Sequence, residues 1–144
     1  MNDEKTRRLL LLTDDNCIAE ALGTCMHRDN IKVDRVFTIG DVAEAIAAGA
    51  DGVILDIAKR GLSGDAIMTL TGRAQRWEIP LFIMTAQSRR DLSEFAAVVR
   101  ATDVVSKTES MTAIAARVRV YMRTPIKAEQ KKLEPCEHLA WALA

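Results

Sequence analysis

Five residues of this chain are spaced so that they could do chemistry together: the adjacent Asp14 and Asp15, the isolated Asp56, then Thr85 and Lys107. The pair follows LLLL, Asp56 follows VIL, Thr85 follows LFIM, and Lys107 lies just past VV. In an open parallel sheet, ligands bind outside the carboxyl ends of the strands. If these runs are strands of one sheet in the order 2-1-3-4-5, neighbours lie about 4.8 Å apart and three carboxylates share one cleft. Three anions that close repel one another and call for a cation. A hard divalent ion such as Mg2+, keeping several waters, suits an all-oxygen set. Lys107 adds a second positive charge and Thr85 a hydroxyl donor. Such a set around Asp56 makes a site for a phosphoryl group carried on that carboxylate.

The elements that must position these residues alternate along the chain. Leu9–Leu12 is too short and too apolar for a helix and predicts a buried strand stopping at Thr13-Asp14-Asp15. Ile18, Leu22, Cys25 and Met26 share a helical face, with Asp15 or Asn16 as the cap. Ile31, Val33 and Val36-Phe37 predict a second strand, and Gly40-Asp41 opens a helix with Val42, Ala45 and Ile46 inward, closed by Gly49. Val53–Leu55 predicts a third strand ending at Asp56, followed by a loop over 57–63. Ile67, Leu70, Ala74 and Trp77 mark a third helix, with both Trp77 and Trp141 expected to pack. Pro80 opens a fourth strand ending at Thr85; Leu92, Phe95, Ala96 and Val99 form a fourth helical stripe. Val104-Val105 is a short fifth strand, and Met111, Ile114, Ala115, Val118 and Met122 a fifth helical stripe. Five strand–helix units with short connections predict an α/β fold: a five-stranded parallel sheet with helices on both faces, taken in the order 2-1-3-4-5 supposed above. Strands that are apolar throughout fit burial on both sides. Thr124-Pro125 ends the pattern, because a proline biases its predecessor away from helix.

Composition narrows the function. At 144 residues the chain suits one domain with one real core. Twenty basic side chains balance twenty acidic ones, which argues against direct nucleic-acid binding through bulk charge. Cys17, Cys25 and Cys136 are too few and too scattered for a disulfide framework. No apolar run approaches a membrane span, and MNDEKTRR does not resemble a signal peptide, so a cytoplasmic protein without membrane contact is expected.

On these residues the chain resembles the receiver domains of bacterial response regulators, the CheY-like phosphoacceptor family. The likeness rests on Asp14-Asp15, Asp56 within Ile-Leu-Asp, the spacing to Gly61 and Gly64, Thr85-Ala86 and Lys107. It spans residues 7–123 as a receiver domain, leaving 124–144 as a C-terminal tail or linker. The resemblance implies a flavodoxin-like fold, two-component signal transduction, and no enzymatic role beyond slow self-phosphorylation and dephosphorylation. Asp56 would accept phosphate from a sensor histidine kinase or phosphotransfer protein. Mg2+ would be held by Asp14, Asp15, Asp56 and the carbonyl of Ala58. Thr85, Ala86 and Lys107 would contact the phosphoryl group. Output would pass to a partner protein or downstream domain; a homodimer through the fourth helix, fifth strand and fifth helix is compatible with it.

The departures concern the switch. Val104 stands where the family has a rotating aromatic, and a β-branched side chain has few rotamers to offer. Thr108 replaces the usual proline after Lys107, Arg60 stands where proline is common, Lys59 where an apolar residue is common, and Arg100 where glycine is frequent. The losses at Val104, Arg60 and Thr108 favour a rival reading, a pseudo-receiver that binds partners without phosphorylation, which the intact set of Asp14, Asp15, Asp56, Thr85 and Lys107 opposes. A haloacid-dehalogenase-type phosphatase would need an acid/base Asp two residues after its nucleophile, where this chain has Ala58. Lys59-Arg60 is expected to be a solvated loop, and Arg117, Arg119 and Arg123 a solvated helix face. His27 and His138 are expected on the surface, and Cys136-x-His138 lacks the further ligands of a metal site.

Overall fold

The structure is a computed structural model, which describes residues 6–86 and 100–122. Among the described residues nine elements follow one another: β1 (Arg7–Leu12), α1 (Asn16–His27), β2 (Ile31–Val36), α2 (Ile39–Ala47), β3 (Gly52–Asp56), α3 (Gly64–Arg76), β4 (Leu81–Thr85), β5 (Asp103–Ser106) and α4 (Met111–Met122). The strands form one parallel sheet, as expected from the alternation, in the order β2-β1-β3-β4-β5 that goes with the resemblance to receiver domains. The stripe Leu92–Val99 and the tail 124–144 lie outside the described residues, as do Arg123, Cys136, His138 and Trp141.

Period-two alternation divides the apolar strands between two cores. Leu10, Leu12, Val53, Leu55, Leu81, Ile83 and Val104 face one way, together with Val42 and Ile46 of α2 and Ile67, Leu70 and Ala74 of α3. Leu9, Leu11, Ile54, Phe82, Met84 and Val105 face the other, with Leu22 and Met26 of α1 and Ile114, Ala115, Val118 and Met122 of α4. Emptying one of these sites, Leu→Ala, costs about 2–5 kcal/mol. Val104, at the position singled out for the switch, is buried in the first core opposite Ile83.

Capping residues start the helices where side-chain oxygens can take their first amides. Asp15 Oδ1 accepts from Cys17 and Ile18, Thr38 Oγ1 from Asp41, and Ser63 Oγ from Ala66. The second helix therefore begins at Ile39, behind the expected Gly40-Asp41. Gly52, at the start of β3, has little room for a side chain. A Cβ there would lie 3.1 Å from both Leu9 Cδ1 and Met122 Sδ, closer than most real contacts. The last turn of α4 thus sits directly on the amino end of β3.

Three expectations need correction. Trp77 is not a core residue: it caps α3 and is 57% exposed, because Glu78 turns the chain with φ +59°. Phe37 lies past the end of β2 and is exposed, with the guanidinium of Arg35 stacked 4.7 Å from its ring centre. Arg117 and Arg119 are not a solvated face. Arg117 reaches Asp103 and Glu109, and Arg119 pairs with Asp29 at 2.7 Å, tying α4 to the end of α1. Arg100 does occupy the left-handed region, with φ +57°. That conformation costs an L-residue roughly 1–2 kcal/mol, which is the physical sense of a glycine there.

Candidate functional site

β3 carries Asp56 on its last residue, so the carboxylate emerges at the carboxyl edge of the sheet. It is nonetheless buried, with 3% of its side chain exposed. Lys107, just past β5, spans the intervening strand and brings Nζ to 2.9 Å from Asp56 Oδ2. Its own amide donates to the carbonyl of Thr85 at 2.6 Å, which fixes the loop to the end of β4. Thr85 is buried on β4, one residue past the Asp56–Met84 pairing, and Ala86 follows it at the surface.

Thr13 is the residue the sequence reasoning missed. Fully buried at the end of β1, its hydroxyl donates to Asp56 Oδ2 at 2.6 Å. Thr13 Oγ1 in turn accepts from the amide of Asp15 at 3.1 Å. One side chain therefore sets both the acceptor carboxylate and the turn that carries the acidic pair. Arg35 braces that turn from β2: Nε and Nη2 donate to the Thr13 carbonyl at 3.2 and 3.1 Å, and Nη1 to Asn16 Oδ1. Neither role leaves a local sequence signal, because each is made by a neighbouring strand far along the chain.

The second carboxylate oxygen, Asp56 Oδ1, accepts from the amide of Ala58 at 3.0 Å. Asp15 is spent as the cap of α1. Asp14, 51% exposed, pairs through Oδ1 with Lys59 Nζ at 3.0 Å and accepts from the Arg60 amide through Oδ2 at 3.3 Å. Hydrogen bonds from Lys59 and then Arg60 hold the Asp14 carboxyl below its ordinary value. Lys59, expected in solvent, is only 14% exposed; its stem lies against the protein and its ammonium on Asp14.

The loop after β5 is closed by hydroxyls and a carboxylate in place of proline. Ser106 Oγ and Thr108 Oγ1 share a 2.7 Å hydrogen bond, and Glu109 accepts from the Ser106 amide. Every peptide bond among the described residues is trans, including Lys107–Thr108.

The Mg2+ that the resemblance implies would need several of these oxygens aimed at one point. Asp14, Asp15 and Asp56 are the right donor chemistry, but each is turned to a donor of the protein. Among the described residues no three acidic, His or Cys side chains converge on a metal position. As arranged, the cluster does not fit the ion.

Solved structures match this architecture. The BeF3-activated receiver domain of DrrB superimposes with a TM-score of 0.68 at 18% identity, covering 83% of this chain and 99% of that one. A response regulator from Thermotoga maritima gives 0.68 at 14% identity, with the same coverage. The BeF3-activated N-terminal receiver domain of Klebsiella pneumoniae RstA gives 0.67 at 23% identity, covering 81% of this chain and 99% of that one. No protein-family model and no curated protein matches the chain. At these identities the likeness establishes the fold: this chain is built as receiver domains are. Among the described residues no helix is long and apolar enough to cross a membrane.

Proposed function

We propose that this chain is a receiver domain of two-component signalling in which Asp56 accepts a phosphoryl group from a sensor histidine kinase or phosphotransfer protein. The observation that carries the reading is the buried Asp56 carboxylate, presented at a strand end with the Lys107 ammonium 2.9 Å from one oxygen. In the transfer, an Asp56 oxygen attacks phosphorus in line as the bond from phosphorus to the donor nitrogen breaks. The electron pair leaves with the imidazole, and an acyl phosphate forms. Lys107 offsets the charge that arrives on the phosphoryl oxygens. Thr13 holds Asp56 for the attack, and Thr85 with Ala86, at the end of the adjacent strand, contacts the phosphoryl group. The chain is a phosphoacceptor in the cytoplasm, not an enzyme, and its output is a surface offered to a partner protein or downstream domain. The expected Mg2+ dependence has no part in this scheme, since Lys59 and the protein's own amides engage the carboxylates.

The test is intact-protein mass spectrometry after incubation with acetyl phosphate, with and without Mg2+. One added phosphoryl group is expected in the wild type and none in Asp56→Asn. An unmodified wild type under every condition makes the protein a phosphorylation-independent interaction module.

A further inference from the structure

The position of Lys59 is unusual for a loop lysine. Such side chains normally extend into water, where the ammonium is solvated and the stem keeps its rotamer freedom. Here the stem is covered, and the ammonium is brought across 45 residues of chain to Asp14. The backbone helps: the Arg60 amide takes the other Asp14 oxygen, so residues 59 and 60 grip both sides of one carboxylate. The loop itself is anchored, with the Lys59 amide donating to the Asp56 carbonyl at 3.0 Å and the Leu62 amide to the Lys59 carbonyl at 3.3 Å. The rest of the acidic cluster is compensated as well. Asp56 has Lys107, Thr13 and the Ala58 amide; Asp15 has two helix amides.

We propose that Lys59 is a tethered counter-cation: its ammonium takes the place beside Asp14 that a divalent ion would need, so the acidic cluster is compensated without metal. A free Mg2+ must then displace a like charge that is already bound and covalently attached, while giving up part of its own hydration. The wild-type chain should bind Mg2+ poorly, and removing the ammonium should open the site. The inference stands on the ion pair and does not rest on the phosphoacceptor reading.

The experiment is a calorimetric titration of the whole chain with MgCl2, with no phosphodonor present. Wild type, Lys59→Met, Lys59→Arg and Lys59→Met combined with Asp14→Asn are compared. Melting curves across the same Mg2+ range give a second readout. Lys59→Met keeps an apolar stem and should bind Mg2+ at least tenfold more tightly than wild type, with a Tm that rises as Mg2+ is added. Lys59→Arg should behave as wild type, and the double variant should lose the gain. Equal affinity in wild type and Lys59→Met, or no binding by either, overturns the proposal. Because the titration contains no phosphodonor, either result leaves the phosphorylation of Asp56 to be decided by its own test.

Discussion

Two carboxylate–ammonium pairs stand at the same edge of the sheet, and they differ mainly in where the water is. Asp56–Lys107 and Asp14–Lys59 have nearly equal separations, 2.9 and 3.0 Å. In the first pair the carboxylate is buried and the ammonium partly covered. In the second the carboxylate is half open to solvent and the ammonium is the covered partner. Distance alone would rank them alike. The surroundings do not, because a charge stripped of water depends on its partner while an exposed one falls back on solvent. The inner pair is therefore a commitment chiefly of its carboxylate, Asp56, and the outer pair one chiefly of its ammonium, Lys59.

The largest expected effect breaks the inner pair. Lys107→Met leaves Asp56 buried without its counter-charge and should destabilise the fold by about 3–5 kcal/mol in urea unfolding. Adding Asp56→Asn to it should recover much of that loss. A double variant as unstable as the single one would mean that Lys107 acts through packing alone. Next comes Thr13→Val, which keeps the shape and removes the hydroxyl from a buried carboxylate. It should cost about 1.5–3 kcal/mol, the value of a hydrogen bond to a charged group. It should also slow phosphorylation of Asp56, whereas a uniform loss of stability with an unchanged rate would confine Thr13 to a structural role. Arg100→Gly should act in the opposite direction, stabilising by roughly 1 kcal/mol by relieving the left-handed backbone. An unchanged urea midpoint would show that the strain is already compensated.

The smallest effect sharpens the outer pair. The Asp14 carboxyl is held below its ordinary value of 3.8 by Lys59 and the Arg60 amide. Its contribution to stability is fully present where the carboxyl is ionised in both folded and unfolded chains. It fades as the pH falls below that ordinary value and through the lower native one. The stability difference between wild type and Asp14→Asn should therefore be constant from pH 7 to pH 5 and close only in more acid solution. High salt should shrink it at neutral pH, since the carboxylate is exposed. A difference that changed between pH 7 and pH 5 would point to another titrating group.

The same contrast explains what was legible in the sequence. The strands and the two-sided cores were legible because they depend on local periodicity: Leu9–Leu12, Val53–Leu55 and Leu81–Met84 are apolar runs too short for helices, whereas the strand order rested on the resemblance to receiver domains. The strand-end position of Asp56 and of Lys107 followed from the same runs. Thr13 was not legible. A threonine after four leucines looks like a turn residue, and its partner Asp56 is supplied by a strand 43 positions away. Lys59 was misjudged for a similar reason: its burial depends on Asp14, on another loop. Trp77 shows the opposite error. Helical spacing continued to it from Ala74, while the chain was already leaving the helix.

The contact between Gly52 and Met122 has a practical consequence for anyone handling this protein. β1 begins at Arg7 beside the start of β2, and α4 finishes over the first residue of β3, so both ends of the described segment lie at one pole of the sheet. Asp56 is four residues further along β3, about 13 Å away at the opposite pole. A dye or a surface tether attached at Thr6 or at the exposed Val120 would sit away from the Asp56 edge. It would equally be a poor direct witness of events there: any signal it registers must have crossed the full length of the sheet.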